Sequence, residues 1–174
     1  APPRVGTVRS LVETTKPGIT KLVTITSMVG FVMAAAARPE LNLASLAVLG
    51  MGCSLGTALS AAGANAINQF IERERDARMP RTLRRPLPTK RVTPAAVLTA
   101  GVLLGAAGCG VLWAVCGLVS ALVSLACIVS YIAVYTPMKT TTALATFVGA
   151  LPGALPPLIG WSAGSEVGGW ASLK

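Results

Sequence analysis

The stretch NAINQFIERERDARMPRTLRRPL, residues 65–87, decides how the rest of the chain is read. It packs three acids and six arginines directly behind a long uncharged run of Ala, Gly, Ser and Leu. Within it an amide, a glutamate and an aspartate recur every four residues, at Asn68, Glu72 and Asp76. On a helix, residues four apart share a face and climb about 6 Å per step. The pattern is that of an apolar helix that turns charged where it leaves a hydrocarbon phase.

Composition agrees with that reading. Hydrophobic residues make up 53% of the 174 positions and charged residues 12%, where a soluble domain carries about 25% charge. Mean hydropathy is +0.68. The net charge of +9 does not form a nucleic-acid-binding face. Residues 71–94 hold eight Lys/Arg against three acids, and the rest of the chain is nearly uncharged. Basic charge confined to loops between apolar runs describes membrane topology. The four cysteines lie in or beside apolar runs without a CxxC pair, and the chain has no His. They read as small buried thiols, not as a zinc site or a disulfide framework. No signal peptide is recognised in the polar, basic first eighteen residues.

Working outward, five apolar spans emerge, at about 19–37, 43–70, 95–115, 119–136 and 143–163. Each has close to the ~20 residues that cross ~30 Å of hydrocarbon. In lipid only a helix satisfies its own backbone groups along an open chain. The fold class is therefore all-α, a polytopic helix bundle in a lipid bilayer. Pro17 and Pro94 open two spans, with Thr93 as N-cap. Lys21 snorkels to the headgroups, Arg38-Pro39 stops the first span, and only Cys-Gly-Leu separates the third from the fourth. Gly52/Gly56, Gly101/Gly105 and Gly149/Gly153 have the spacing of close helix contacts, and equally the frequency of a Gly-rich chain. Lys/Arg counts set the orientation. Arg4, Arg9, Lys16, the eight-cation loop and Lys139 lie on one side, and Arg38 and Lys174 on the other. The first side, with the N-terminus, is cytosolic, or matrix in a mitochondrion.

Two accounts of the Asn68–Glu72–Asp76 face stand together. An oxygen row of this kind suits Mg²⁺, which takes one or two carboxylates plus substrate phosphates, and Arg81 and Arg85 have the guanidinium forks that match phosphate. Alternatively the acids simply pair with the arginines around them. Asn65, one turn deeper, is either functional or glue between helices. Tyr135 and Lys139 end the fourth span on the same side; Lys139 reaches a phosphate or anchors topology. Pro152, Pro156 and Pro157 break the fifth span, which then bends around an internal chamber. Trp161 suits the opposite interface.

The first long stretch with its continuation PTKRVTP, the stretch YTPMKTTTALATFVGALPGALPPLIGW (135–161) and the entry TKPGITKLVTITSMVGF (15–31) resemble the protohaem IX farnesyltransferases of the UbiA superfamily. The likeness runs from about Thr15 to Trp161. It implies a nine-helix bundle and transfer of a farnesyl group from farnesyl diphosphate to haem B, with water added, giving haem O. It implies that Asn68, Glu72 and Asp76 are the first metal-binding motif, with Mg²⁺ as cofactor and a catalytic role. It also implies that Arg81, Arg85 and Lys139, joined by Lys16, bind the diphosphate. Asn65, Tyr135 and the three prolines then shape the cavity. This sequence departs from the pattern at Ala145, where many relatives have Asn, and at Thr140, at or just after which they often have Arg. The superfamily's second acidic motif has no counterpart here, Glu166 being the only acid after Trp161. The chain is accordingly expected to be the N-terminal part of one such domain and inactive alone. Prenyl transfer to an aromatic or quinone-precursor acceptor is the alternative within the fold. A transporter half or non-catalytic membrane subunit is the alternative outside it, although its polar groups should then lie at mid-membrane.

Overall fold

A computed structural model describes residues 7–139 and 141–165. Arg4, Thr140, Glu166 and Lys174 lie outside them. All regular structure among the described residues is helical. The helices are α1 (Thr7–Thr14), α2 (Pro17–Ala36), α3 (Leu43–Asp76), α4 (Pro94–Cys116), α5 (Leu118–Met138) and α6 (Ala145–Ser165). Their ends follow from local chemistry. Pro94 opens α4 behind Thr93, whose hydroxyl accepts from the Ala96 N–H at 3.3 Å. Asn42 caps α3 in the same way through the Ser45 N–H at 2.8 Å. Gly117, at φ 108°, turns α4 into α5 in a conformation that a side chain would oppose.

Four helices, α2 to α5, are long and apolar enough to cross a membrane. The fifth expected span coincides with α6, whose 21 residues are enough in length. Its outward face is apolar, with Phe147, Leu151 and Leu158 exposed, while Pro156 and Gly160 turn inward. The second apolar run is also longer as a helix than as a span. α3 continues through the charged turns to Asp76, 34 residues in all, or about 51 Å. Its last turns therefore project beyond a hydrocarbon layer of about 30 Å.

The bundle buries hydroxyls among its apolar contacts and is apolar outside. Ser27, Thr57, Ser60, Ser120 and Ser124 are buried, while Leu22, Ile25, Val29 and Val32 form an exposed stripe on α2. That arrangement suits lipid and would be unstable in water. α3 packs along α4, and α2 along α6. An apolar core of Phe31, Leu49, Cys53, Leu112, Cys116 and Ile159 closes one end. The polar site occupies the other.

Candidate active site

Asn68, Glu72 and Asp76 lie on one face of α3, at 0%, 5% and 4% exposure. Buried acids of this kind need counter-charge, and each of the three oxygen-bearing side chains receives a cation from a different segment. Lys16, between α1 and α2, donates from Nζ to Asn68 Oδ1 at 2.7 Å. Lys139, just after α5, pairs with Glu72 Oε1. Arg85, in the α3–α4 loop, donates from Nη1 to Asp76 Oδ2 at 2.6 Å. Of the two acids in the row, Asp76 pairs with an arginine and Glu72 with a lysine. The cations the row recruits are the set expected to bind diphosphate, save Arg81, which is exposed and has no polar partner among the described residues.

Local structure explains how the cations arrive. Lys16 has φ 49°, in the left-handed region. A non-glycine residue held there costs about 1–3 kcal/mol and needs its surroundings to enforce it. Burial lowers its pKa to about 8. Arg85 and Lys139 push the same way against Glu72 and Asp76. Arg85 is set by Thr82, whose hydroxyl donates to the Asp76 carbonyl at 2.8 Å and whose carbonyl accepts from the Arg85 N–H at 3.0 Å. Arg91 ties that loop to α1, reaching Glu13 Oε2 and the Arg84 carbonyl, both at 2.8 Å. Glu72 Oε1 is buried, and its close partner is the Lys139 ammonium.

Beneath this row a cavity of about 550 Å³ runs between α2, α3, α5 and α6. Asn65, Tyr135, Pro152 and Pro156 line it. Pro157 does not. Its carbonyl abuts α2 at Gly30, where a Cβ would overlap it. Asn65 donates from Nδ2 to Thr20 Oγ1 at 3.3 Å, which is the helix-glue role. Tyr135 stacks on Tyr131 with ring centroids 5.8 Å apart, and Lys139 Nζ lies 5.9 Å over the Tyr135 ring. Through Lys139 and Tyr135 the basic cluster adjoins the aromatic end of the cavity.

Sequence reasoning passed over Thr82, Tyr131 and Thr136. Thr136 is fully buried and accepts from Asn68 Nδ2 at 3.1 Å. Its only signal was its place before Pro137 in the YTP stretch. Buried Gln69, with Oε1 unpartnered, was also missed. No three His, Cys, Asp or Glu side chains converge on a metal-sized point among the described residues.

Residues 23–173 match the UbiA prenyltransferase family. The chain belongs to that family. It is 40% identical over 166 residues to the protoheme IX farnesyltransferase of Symbiobacterium thermophilum, covering 95% of this chain and 54% of that one. It is 40% identical over 152 residues to the protein of the same name from Opitutus terrae, 87% and 49% of the two chains. A third, from Stutzerimonas stutzeri, is 40% identical over 121 residues, 70% and 38%. The chain spans about half the length of the first two relatives. No solved structure matches it.

Proposed function

We propose that this chain forms the prenyl-diphosphate end of an enzyme that transfers a farnesyl group from farnesyl diphosphate to a vinyl group of haem B. Water is added and diphosphate released, giving haem O. The observation that carries the reading is the convergence of Lys16, Arg85 and Lys139, from three separate segments, on one acidic helix face beside an apolar cavity. The names of the relatives in Symbiobacterium and Opitutus support the choice of acceptor.

The donor set fits a hard divalent cation. Two carboxylates and an amide oxygen share one face, and all three are buried beside the cations that would turn to a diphosphate. Few protein ligands plus substrate phosphates is the pattern Mg²⁺ favours, so Asn68, Glu72 and Asp76 would hold it. Bound there, the ion supplies positive charge against the departing diphosphate. Lys16, Arg81, Arg85 and Lys139 bind the diphosphate oxygens and stabilise charge as it develops on them. Tyr131, Tyr135, Pro152 and Pro156 hold the isoprenoid chain and keep water from its reactive carbon. The row faces the cytosol or matrix.

The test is direct. The whole protein, supplied with farnesyl diphosphate, haem B and Mg²⁺, should yield a product with the mass of haem O. Farnesyl transfer to an aromatic acceptor with haem B untouched would replace the haem reading. No transfer to either would end the prenyltransfer reading.

A further inference from the structure

Asn68 is the one amide in the oxygen row, and its neighbours allow it a single orientation. Lys16 Nζ lies 2.7 Å from Oδ1, and an ammonium only donates. On the other side Nδ2 donates to Thr136 Oγ1 at 3.1 Å. The one hydroxyl proton of Thr136 goes to the Tyr131 carbonyl at 2.7 Å, which leaves Oγ1 as the acceptor. The three bonds run one way, from Lys16 through Asn68 and Thr136 to Tyr131. Asn68 and Thr136 are both at 0% exposure, so water does not stand in for either.

The end of α5 is shaped to make this contact. Over Ser130–Tyr135 the helix widens into a π turn, and the Tyr131 carbonyl accepts the Thr136 N–H as well as its hydroxyl. Such turns concentrate at functional sites. This one fixes Thr136 by two bonds against the face of α3.

We propose that Thr136 is a positioning residue that holds the Asn68 amide with its oxygen toward the metal-diphosphate site. The proposal rests on the reading of that site given above. Lys16 orients the amide only while its ammonium stays on Oδ1, and that hold ends when the ammonium turns to a phosphate oxygen. Thr136, tied to the π turn, keeps its bond throughout. The same geometry accounts for an amide at position 68. An aspartate there would set a carboxylate oxygen against Thr136 Oγ1 and draw the hydroxyl proton away from Tyr131.

The test compares the whole protein, Thr136→Val and Thr136→Ser in one detergent. The first readout is hydrogen exchange of the Asn68 side-chain amide, identified by its loss in Asn68→Asp. Val should speed exchange by about tenfold, the equivalent of one buried hydrogen bond, and Ser should restore it. The second readout is calorimetric titration with manganese(II) and inorganic pyrophosphate. Val should weaken binding by about 10–100-fold, the usual effect of losing the partner of a metal ligand, and Ser should bind like the parent. Unchanged exchange in Thr136→Val, or equal losses in Val and Ser, overturns the proposal. Parent protein that fails to bind manganese pyrophosphate overturns the diphosphate reading of the site, and the exchange rates then still decide whether Thr136 holds the amide. If Thr136→Val does not fold, Thr136→Ala makes the same comparison.

Discussion

Asp76 lies at 4% exposure in an ion pair with Arg85, and Asp76→Asn breaks that pair with almost no change in shape. In the proposed mechanism it loses a metal ligand and frees Arg85 from its partner. Prenyl transfer by the whole protein should fall by at least about a hundredfold with normal membrane insertion. Unchanged product formation would remove Asp76 from the site. Lys139→Met removes a diphosphate-binding cation of the proposed site and also acts on stability. It leaves the buried Glu72 carboxylate without its cation, at a cost of about 1–3 kcal/mol. The lower part of that range is favoured because the Lys139 side chain is 32% exposed. Thermal unfolding in detergent should show the loss, and Lys139→Arg should recover most of it. At this scale the row itself was legible, because a four-residue repeat converts directly into a helix face. Its partners were legible only as a type. Which cation meets which oxygen depends on where the α1–α2 junction, the α3–α4 loop and the end of α5 come to rest, and no spacing within the sequence encodes that. Arg81, equal to Arg85 in the sequence motif, ends exposed for the same reason.

Among the helices, the contact of α2 with α6 is set by glycines that the sequence did not single out. A Cβ on Gly160 would overlap the Ser27 carbonyl, and one on Gly164 would come within 2.8 Å of the Phe31 carbonyl. Gly160→Val should therefore force the two backbones apart and destabilise the protein by about 1–3 kcal/mol. Gly110→Ala, on the exposed side of α4 with nothing within 4 Å, should change stability by less than about 1 kcal/mol. Denaturant titration of both variants separates a true interface from a general intolerance of side chains. The glycine pairs read from spacing fared unevenly. Gly56 and Gly101 do meet neighbouring helices, at Leu112 and Ile67, whereas nothing lies within 4 Å of a Cβ on Gly153. In helices this rich in Gly and Ala, small residues occur on every face, and only the arrival of a partner selects the ones that matter. The π turns at Leu112–Cys116 and Ser130–Tyr135 were likewise invisible, since they leave apolar patterning nearly unchanged while shifting every later side chain around the axis.

For the molecule as a whole, hydropathy made the all-helical membrane fold legible, because a span must be both long and apolar. It could not show the buried hydroxyls, since Ser27, Thr57, Ser60 and Ser120 are scattered among apolar neighbours in the chain and converge only in the bundle. Orientation is the remaining global claim, and the structure gives it a sharp form. α3 is a single unbroken helix from Leu43 to Asp76, so Glu40 before it and Arg78 after it lie on opposite sides of the bilayer. Both are exposed, and neither belongs to the proposed site. The proposed orientation, argued from the excess of Lys and Arg in the loop after α3, has Arg78 on the cytosolic side. The native thiols are buried or half-buried, so single cysteines at these two positions give readable labels. Glu40→Cys should react with a membrane-impermeant maleimide in intact cells, and Arg78→Cys only in inverted vesicles. The reverse result would put the acidic row, and with it the proposed diphosphate chemistry, on the outer face. Labelling of both from the same side would mean that α3 does not cross the membrane, which would remove the basis for placing the row at one surface of the bilayer.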